Sequence, residues 1–216
     1  MKPATHNLDA VLLAAGLSRR MGGENKLLLR FQGQPLVRHT AATLSMAGFR
    51  KVLVVTGHDA ARIEEALEGL DVVTSRNPDY RKGQMSSVVH GLRELLPGEG
   101  TAPPAEGIMI ALADMPYLEA CDYRDLARTF RDDGCRRIIV PEYLGQRGNP
   151  IILPPELAAV ASAGDLNTGC RRLIENRPDD VRTVDVGNSA FVRDIDTAAD
   201  YGRAVRSSYP AAPCCG

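Results

Sequence analysis

Charge of one sign is what this sequence of 216 residues most plainly lacks. Its 26 Lys and Arg stand against 27 Asp and Glu, for a formal net charge of −1. Domains whose main partner is the nucleic-acid backbone carry a basic surplus, so a general polyanion binder is excluded and any bound anion must be held by a local cluster. No apolar run approaches the roughly 20 residues that span a bilayer. The opening residues Met1 to Asp9 lack the charged, apolar and cleavage regions of a signal peptide. The five cysteines (Cys121, Cys135, Cys170, Cys214 and Cys215) form neither a CxxC pair nor a metal-ligand spacing. Reduced thiols in a cytoplasmic protein are the expectation, with no nucleic-acid and no membrane partner. With 44% hydrophobic residues the chain is far from the disorder corner of composition, and at this length it needs no disulfide or structural metal to fold.

Short apolar runs alternate with segments of helical period. Asp9 to Ala14, Val52 to Val55, Val72-Val73, Ile108 to Leu112 and Arg137 to Val140 read as strands. Helical spacing appears between them, over Leu36 to Ala47, around Ile63 to Leu67, over Met85 to Leu96, and over Tyr123 to Phe130. Pro35 suits a helix start and Gly48 a helix stop. Parallel neighbours need crossover connections, so the alternation implies an α/β fold: one doubly wound, mostly parallel sheet with helices on both faces. After Pro141 the rhythm breaks into the short apolar run Asn149 to Leu153, two short helices, a strand from Val181 to Val186 and a last helix from near Thr197. One domain over residues 1–206 with a tail over 207–216 is expected; Pro97 to Gly107 reads as a surface loop.

The most informative stretch is the loop after the first strand, Leu12 to Lys26, where open α/β sheets place their ligands. Gly16, Gly22 and Gly23 let backbone approach a ligand, and successive N–H groups can cradle an anion. Arg19, Arg20 and Lys26 supply the local basic cluster. It is not a P-loop, and the GxGxxG dinucleotide spacing is absent, which speaks against a dinucleotide-dependent reductase.

The segment Leu13-Ala-Ala-Gly-Leu-Ser-Arg-Arg-Met-Gly22 with Lys26 resembles the signature of the nucleotidyltransferases that activate sugars and cofactors. Four further segments follow in that family's order: Gly83-Gln-Met-Ser-Ser-Val88, Leu112-Ala-Asp-Met-Pro116, Arg147-Gly-Asn-Pro-Ile151 and Asp194-Ile-Asp-Thr-Ala-Ala-Asp-Tyr201. Within the superfamily the sequence is most similar to the molybdenum cofactor cytidylyltransferases. The resemblance implies transfer of CMP from CTP to a molybdopterin-type acceptor, with release of pyrophosphate and delivery of the product to a molybdoenzyme or its chaperone. Leu-Ala-Ala-Gly implies CTP, whereas Asp114-Met-Pro is shared with the guanylyl branch and leaves GTP open. The segment Gly164 to Arg171 carries more residues between Asp165 and Gly169 than the family's G-D-x-G-x-R.

By the same resemblance Asp114 and Asp196 would hold Mg²⁺, with Asp194 the next option. Hard oxygen ligands and substrate phosphates suit that ion. Arg19 and Lys26 would neutralise the leaving pyrophosphate, making Arg19, Lys26 and Asp114 the catalytic set. Leu13, Ala14, Ala15 and Gly16 would receive the nucleotide, and Gly83, Ser86 and Ser87 would border its base. Other expectations stay open: a sugar or alcohol phosphate as acceptor, or a non-catalytic nucleotide-binding or cofactor-delivery module. His39 and His90 read as packed or surface residues and His58 as a weak binding candidate. Tyr80 and Arg81, in the loop before Gly83, could border the acceptor, though an ordinary loop is the favoured reading.

Overall fold

The computed structural model describes residues 6–21, 24–96, 104–163 and 169–206, with backbone alone for 169–172. Gly22, Gly23, Cys214, Cys215, the side chain of Cys170, the expected tail, most of the expected Pro97 to Gly107 loop and the Asp165 segment lie outside the described residues; Cys121 and Cys135 are unbridged.

The strands are β1 (Leu8–Ala14), β2 (Arg30–Phe31), β3 (Gln34–Pro35), β4 (Lys51–Thr56), β5 (Val73–Arg76), β6 (Gly107–Leu112), β7 (Ile138–Tyr143), β8 (Gln146–Arg147), β9 (Ile151–Leu153) and β10 (Val181–Asp185). The helices are α1 (Leu36–Met46), α2 (Ala60–Leu67), α3 (Gln84–Leu95), α4 (Ala120–Asp132), α5 (Pro155–Ala163), α6 (Gly169–Asn176) and α7 (Ala198–Arg206). Among the described residues, eight strands form one sheet in the order β10-β7-β9-β6-β1-β4-β5, with β8 beside β7.

β1 is buried along its whole length, as a central strand covered on both faces must be. Its side chains alternate between two cores. Leu8, Ala10, Leu12 and Ala14 join Leu36 and Leu44 of α1, Ile63 of α2 and Phe130 of α4. Val11 and Leu13 join Val88 and Leu92 of α3 and Leu157 of α5. The one charged residue of β1, Asp9, is sealed at the far end of the strand by a bidentate contact from Arg50, at 3.0 and 2.8 Å. That accommodates a carboxylate in a core strand, since a buried charge is tolerated only when paired.

The sheet is mostly parallel, as expected from the alternation. β9 departs from it, running antiparallel to both β6 and β7. The reason is connectivity: β7 turns at Leu144-Gly145 into β8, and the chain returns to β9 with no crossover helix to reverse its direction. The small antiparallel pair β2–β3 is a second element without a counterpart in the sequence reading. Among the described residues no helix is long and apolar enough to cross a membrane.

Candidate active site

The carboxyl ends of β1 and β6 open beside each other, because β1 and β6 are paired neighbours in the sheet. A cleft of about 510 Å³ lies over them, lined by the loop after β1, the turn after β6, the entry to α3 and the segment before α7.

The loop after β1 holds its own shape. Ser18, at φ 48°, accepts the Lys26 backbone N–H at 3.1 Å and donates its hydroxyl to Asn25 Oδ1 at 3.3 Å. Asn25 in turn caps the following turn by accepting from Leu27 N–H at 3.1 Å. With buried Leu27 as anchor, Lys26 is directed back across the cleft. Arg19 and Arg20 sit on a short 3-10 turn, Arg19–Met21, and are exposed.

Asp114 stands on a turn whose main chain is tied down on every side. Ala113 N–H donates to Leu13 O at 3.1 Å and Ala113 O accepts from Thr40 Oγ1 at 3.1 Å. Asp114 O accepts from Ile195 N–H at 2.9 Å, and Pro116 O contacts His39 Nε2 at 3.1 Å. His39 is thus a buttress, packed edge-on to Phe31 with ring centroids 4.9 Å apart. Burial lowers its pKa, favouring the neutral ring that can donate from one nitrogen.

The closing segment alternates by design of its sequence. Ile195 is fully buried in the core, so Asp194 and Asp196 on either side are turned towards the cleft. Gly148 permits this arrangement: a Cβ there would stand 2.3 Å from Phe191 O, and Asn149 N–H donates to that same carbonyl at 2.8 Å. The Arg-Gly-Asn-Pro motif therefore serves by letting the 3-10 turn Ser189–Val192 approach the backbone closely.

The structure brings Lys26, Asp114 and Asp196 together. Lys26 Nζ lies 2.6 Å from Asp114 Oδ2 and 2.7 Å from Asp196 Oδ1, and Arg20 Nη1 lies 2.7 Å from Asp196 Oδ2. Burial works to discharge the Lys26 ammonium, but the two carboxylates outweigh it and hold its pKa above the ordinary lysine value. Asp114, Asp194 and Asp196 each offer an oxygen within 4.8 Å of the others. Burial, then the charges of Asp114 and Asp196, push the Asp194 carboxyl upward. Asp114 Oδ1 is buried without a hydrogen-bond partner among the described residues. A buried carboxylate oxygen beside two further carboxylates is a donor set that fits a hard divalent cation.

Of the other residues singled out by sequence, Leu13, Ala15, Gly16, Arg19, Gly83 and Ser87 line the cleft. A Cβ on Gly16 would meet nothing within 4 Å, so that backbone faces open space. Ala14 and Ser86 do not line it. Ala14 points into the core, and Ser86 is buried with its hydroxyl on Asp79 O at 2.9 Å and Gly83 O at 2.8 Å. His58 stays outside, stacked on Tyr80 at 6.4 Å. Conversely, Tyr80 and Arg81, read from sequence as loop, form part of the cleft wall, with the guanidinium of Arg81 over the Tyr80 ring. Their place just before Gly83 left a border to the acceptor open, but the return of the loop to the cleft is a tertiary fact that the sequence does not decide.

A basic loop facing an acidic triad, at the strand ends of an open α/β sheet, defines an enzyme that handles phosphate esters. This is a nucleotidyltransferase, and the chain belongs to the family of the MobA-like NTP transferase domain, whose model matches residues 10–181. It is 30% identical over 206 residues to the nicotine blue oxidoreductase of Paenarthrobacter nicotinovorans, covering 91% of this chain and 95% of that one. It is 27% identical over 195 residues to the molybdenum cofactor cytidylyltransferase of Escherichia coli, covering 90% and 93%. Among solved structures, a nucleotidyl transferase from Methanothermobacter superposes with a TM-score of 0.75 at 23% identity, over 92% of this chain and 95% of that one. A Mycobacterium tuberculosis protein solved in complex with manganese superposes at 0.70 and 24%, over 93% and 98%.

Proposed function

We propose that this chain transfers CMP from CTP to the phosphate of a molybdopterin-type cofactor, with Mg²⁺ held by Asp114 and Asp196 and with Asp194 as a third carboxylate. The observation that carries the reading is the opposition of charge across one cleft, Lys26 against Asp114 and Asp196. A nucleoside triphosphate on its magnesium ion needs both signs within a few ångströms. The finer choice of acceptor and nucleotide draws on Leu13-Ala-Ala-Gly16 and on the similarity to the Escherichia coli cytidylyltransferase.

In this reading an oxygen of the acceptor phosphate forms the new bond to the α-phosphorus, and the bond from that phosphorus to the pyrophosphate oxygen breaks. The nucleophile is already anionic, so no side chain need remove a proton, and catalysis rests on positioning and charge. Arg19 and Lys26 neutralise the triphosphate and then the leaving pyrophosphate. The backbone from Ala15 to Gly16 lies along the nucleotide. Gly83 and Ser87 border the base. The ion, when bound, supplies positive charge to the phosphoryl oxygens.

The test is a screen for pyrophosphate release that crosses CTP, GTP, ATP and UTP with molybdopterin and sugar 1-phosphates. Release with CTP and molybdopterin is expected. Release only with another pair would change the substrate, and release with none would favour a binding or delivery module. Because one relative is an oxidoreductase, NAD(P)H consumption is followed in parallel. Hydride transfer without NTP use would overturn the proposal.

A further inference from the structure

We propose that Asn77 is a positioning residue for nucleotide recognition, holding the Ser87 hydroxyl so that its proton is offered to an acceptor atom of the base. This rests on the nucleotide reading of the cleft and goes beyond it, because the sequence pointed to the serines alone.

The argument is one of hydrogen-bond polarity. Asn77 follows β5, is 2% exposed, and stands behind the cleft wall. Its side-chain oxygen accepts the Asp79 backbone N–H at 2.9 Å. A backbone N–H can only donate, so the oxygen of the amide must be on that side and its NH₂ on the other. The two amide hydrogens then meet two serines: Asn77 Nδ2 donates to Ser86 Oγ at 2.9 Å and to Ser87 Oγ at 3.0 Å. Both hydroxyl oxygens are thereby acceptors towards Asn77, and each proton must find another acceptor.

Ser86 has its acceptors in the protein, on Asp79 O and Gly83 O. Ser87 does not. Helical serines commonly bond back to the carbonyl four residues earlier, which for Ser87 is Gly83 O. That oxygen already accepts from Ser86 N–H at 3.1 Å and from Ser86 Oγ. Ser87 is 3% exposed, lines the cleft, and donates its hydroxyl to no partner among the described residues. A buried hydroxyl whose proton is left to the ligand selects for an acceptor on that ligand. On the edge of cytosine the O2 carbonyl and N3 are acceptors. Ser86 thus serves the site from behind, as a second brace on the same amide.

The test uses the full chain with Mg²⁺ and compares the dissociation constants of CTP and of ribose 5-triphosphate, which has no base. Asn77→Asp replaces the donating NH₂ by an accepting oxygen and turns both hydroxyls inward. It is expected to weaken CTP about tenfold, the loss of one buried hydrogen bond, while leaving the base-free triphosphate unchanged. Ser87→Ala is expected to cost the same factor, and the double variant no more than either single one. Unchanged CTP affinity in Asn77→Asp would overturn the proposal, as would a parallel loss for both ligands, which marks general loosening. If Asn77→Asp fails to fold, Ser87→Ala decides: CTP binding equal to wild type leaves Asn77 nothing to position. Wild-type protein that binds CTP no better than the base-free triphosphate would sink the underlying reading itself, and is seen before any variant is made.

Discussion

Lys26 Nζ and Asp114 Oδ2 are 2.6 Å apart across 88 residues of chain, and the ammonium also reaches Asp196. The lysine therefore occupies carboxylate oxygens that a metal ion would use. Two cations competing for one pair of carboxylates make a specific forecast. Lys26→Met should bind Mn²⁺ more tightly than wild type when no nucleotide is present, by calorimetry or electron spin resonance. The same variant should lose roughly 10²–10³-fold in kcat/KM for transfer, as when a preorganised charge contact is removed. Weaker Mn²⁺ binding would show that the ammonium supports the ion instead of standing in for it.

If the proposed metal site is right, Asp114→Ala should remove nearly all turnover measured with Mg²⁺, by about 10³-fold, with the circular dichroism spectrum unchanged. The side chain itself contributes little to folding, because the hydrogen bonds that shape its turn come from main-chain atoms of Ala113, Asp114 and Pro116. Full activity in this variant would remove Asp114 from the metal site.

Gly148→Ala tests the scaffold. The new methyl would press on Phe191 O, a backbone atom at 2.3 Å with no side-chain freedom to yield. A cost of about 1–3 kcal/mol is expected in urea unfolding, along with weakened Mn²⁺ binding, since the displaced turn leads directly to Asp194 and Asp196. Stability equal to wild type would place the segment's anchoring elsewhere.

Acidification tests His6, which is buried beside the Phe49 ring and whose pKa is lowered from 6.5 by burial first and then by Arg131 and Arg124. The unfolded chain takes up its proton near pH 6.5, and the folded chain only at lower pH. The protein therefore keeps its full stability from this group above about pH 7.5 and loses it as the pH falls through 6.5, by at most about 1.4 kcal/mol per pH unit. His39 acts in the same direction. Asp122 and Asp194, whose carboxyls are pushed up, act oppositely, from lower pH. Comparing wild type with His6→Gln isolates the histidine: the variant should show the shallower decline between pH 7 and 5.5. Superimposable curves would remove His6 from the account.

Much of this architecture was legible in the chain. Apolar runs such as Ala10 to Ala14 announce strands buried on both faces. Two of the motifs, Leu13 to Gly22 and Leu112 to Pro116, lie at the ends of such strands, whereas Gly83 to Val88 opens α3 and Asp194 to Tyr201 leads into α7. Direction and depth were not legible. Three apolar residues at Ile151–Leu153 carry no mark of which way they run, and only the turn at Leu144-Gly145 decides it. Ser86 and Ser87 look alike in sequence, yet one helical step of 100° puts the first inside and the second on the cleft. Asn77 gave no signal, because its role depends on two serines meeting it across a loop.

The burial of Ile195 between two carboxylates has a wider consequence. One bank of the cleft is cast from the same material as the core, so Asp114, Asp194 and Asp196 cannot be moved without disturbing the fold. The opposite bank carries Tyr80, Arg81 and Gln84 on a loop and a helix entry that polar contacts hold, Asp79 N–H on Asn77 Oδ1 and the Ser86 hydroxyl on the Asp79 and Gly83 carbonyls. Such a division sets a bank cast by apolar packing against a bank cast by hydrogen bonds, so thinning the core should loosen the first while a change of polar pairing should loosen the second.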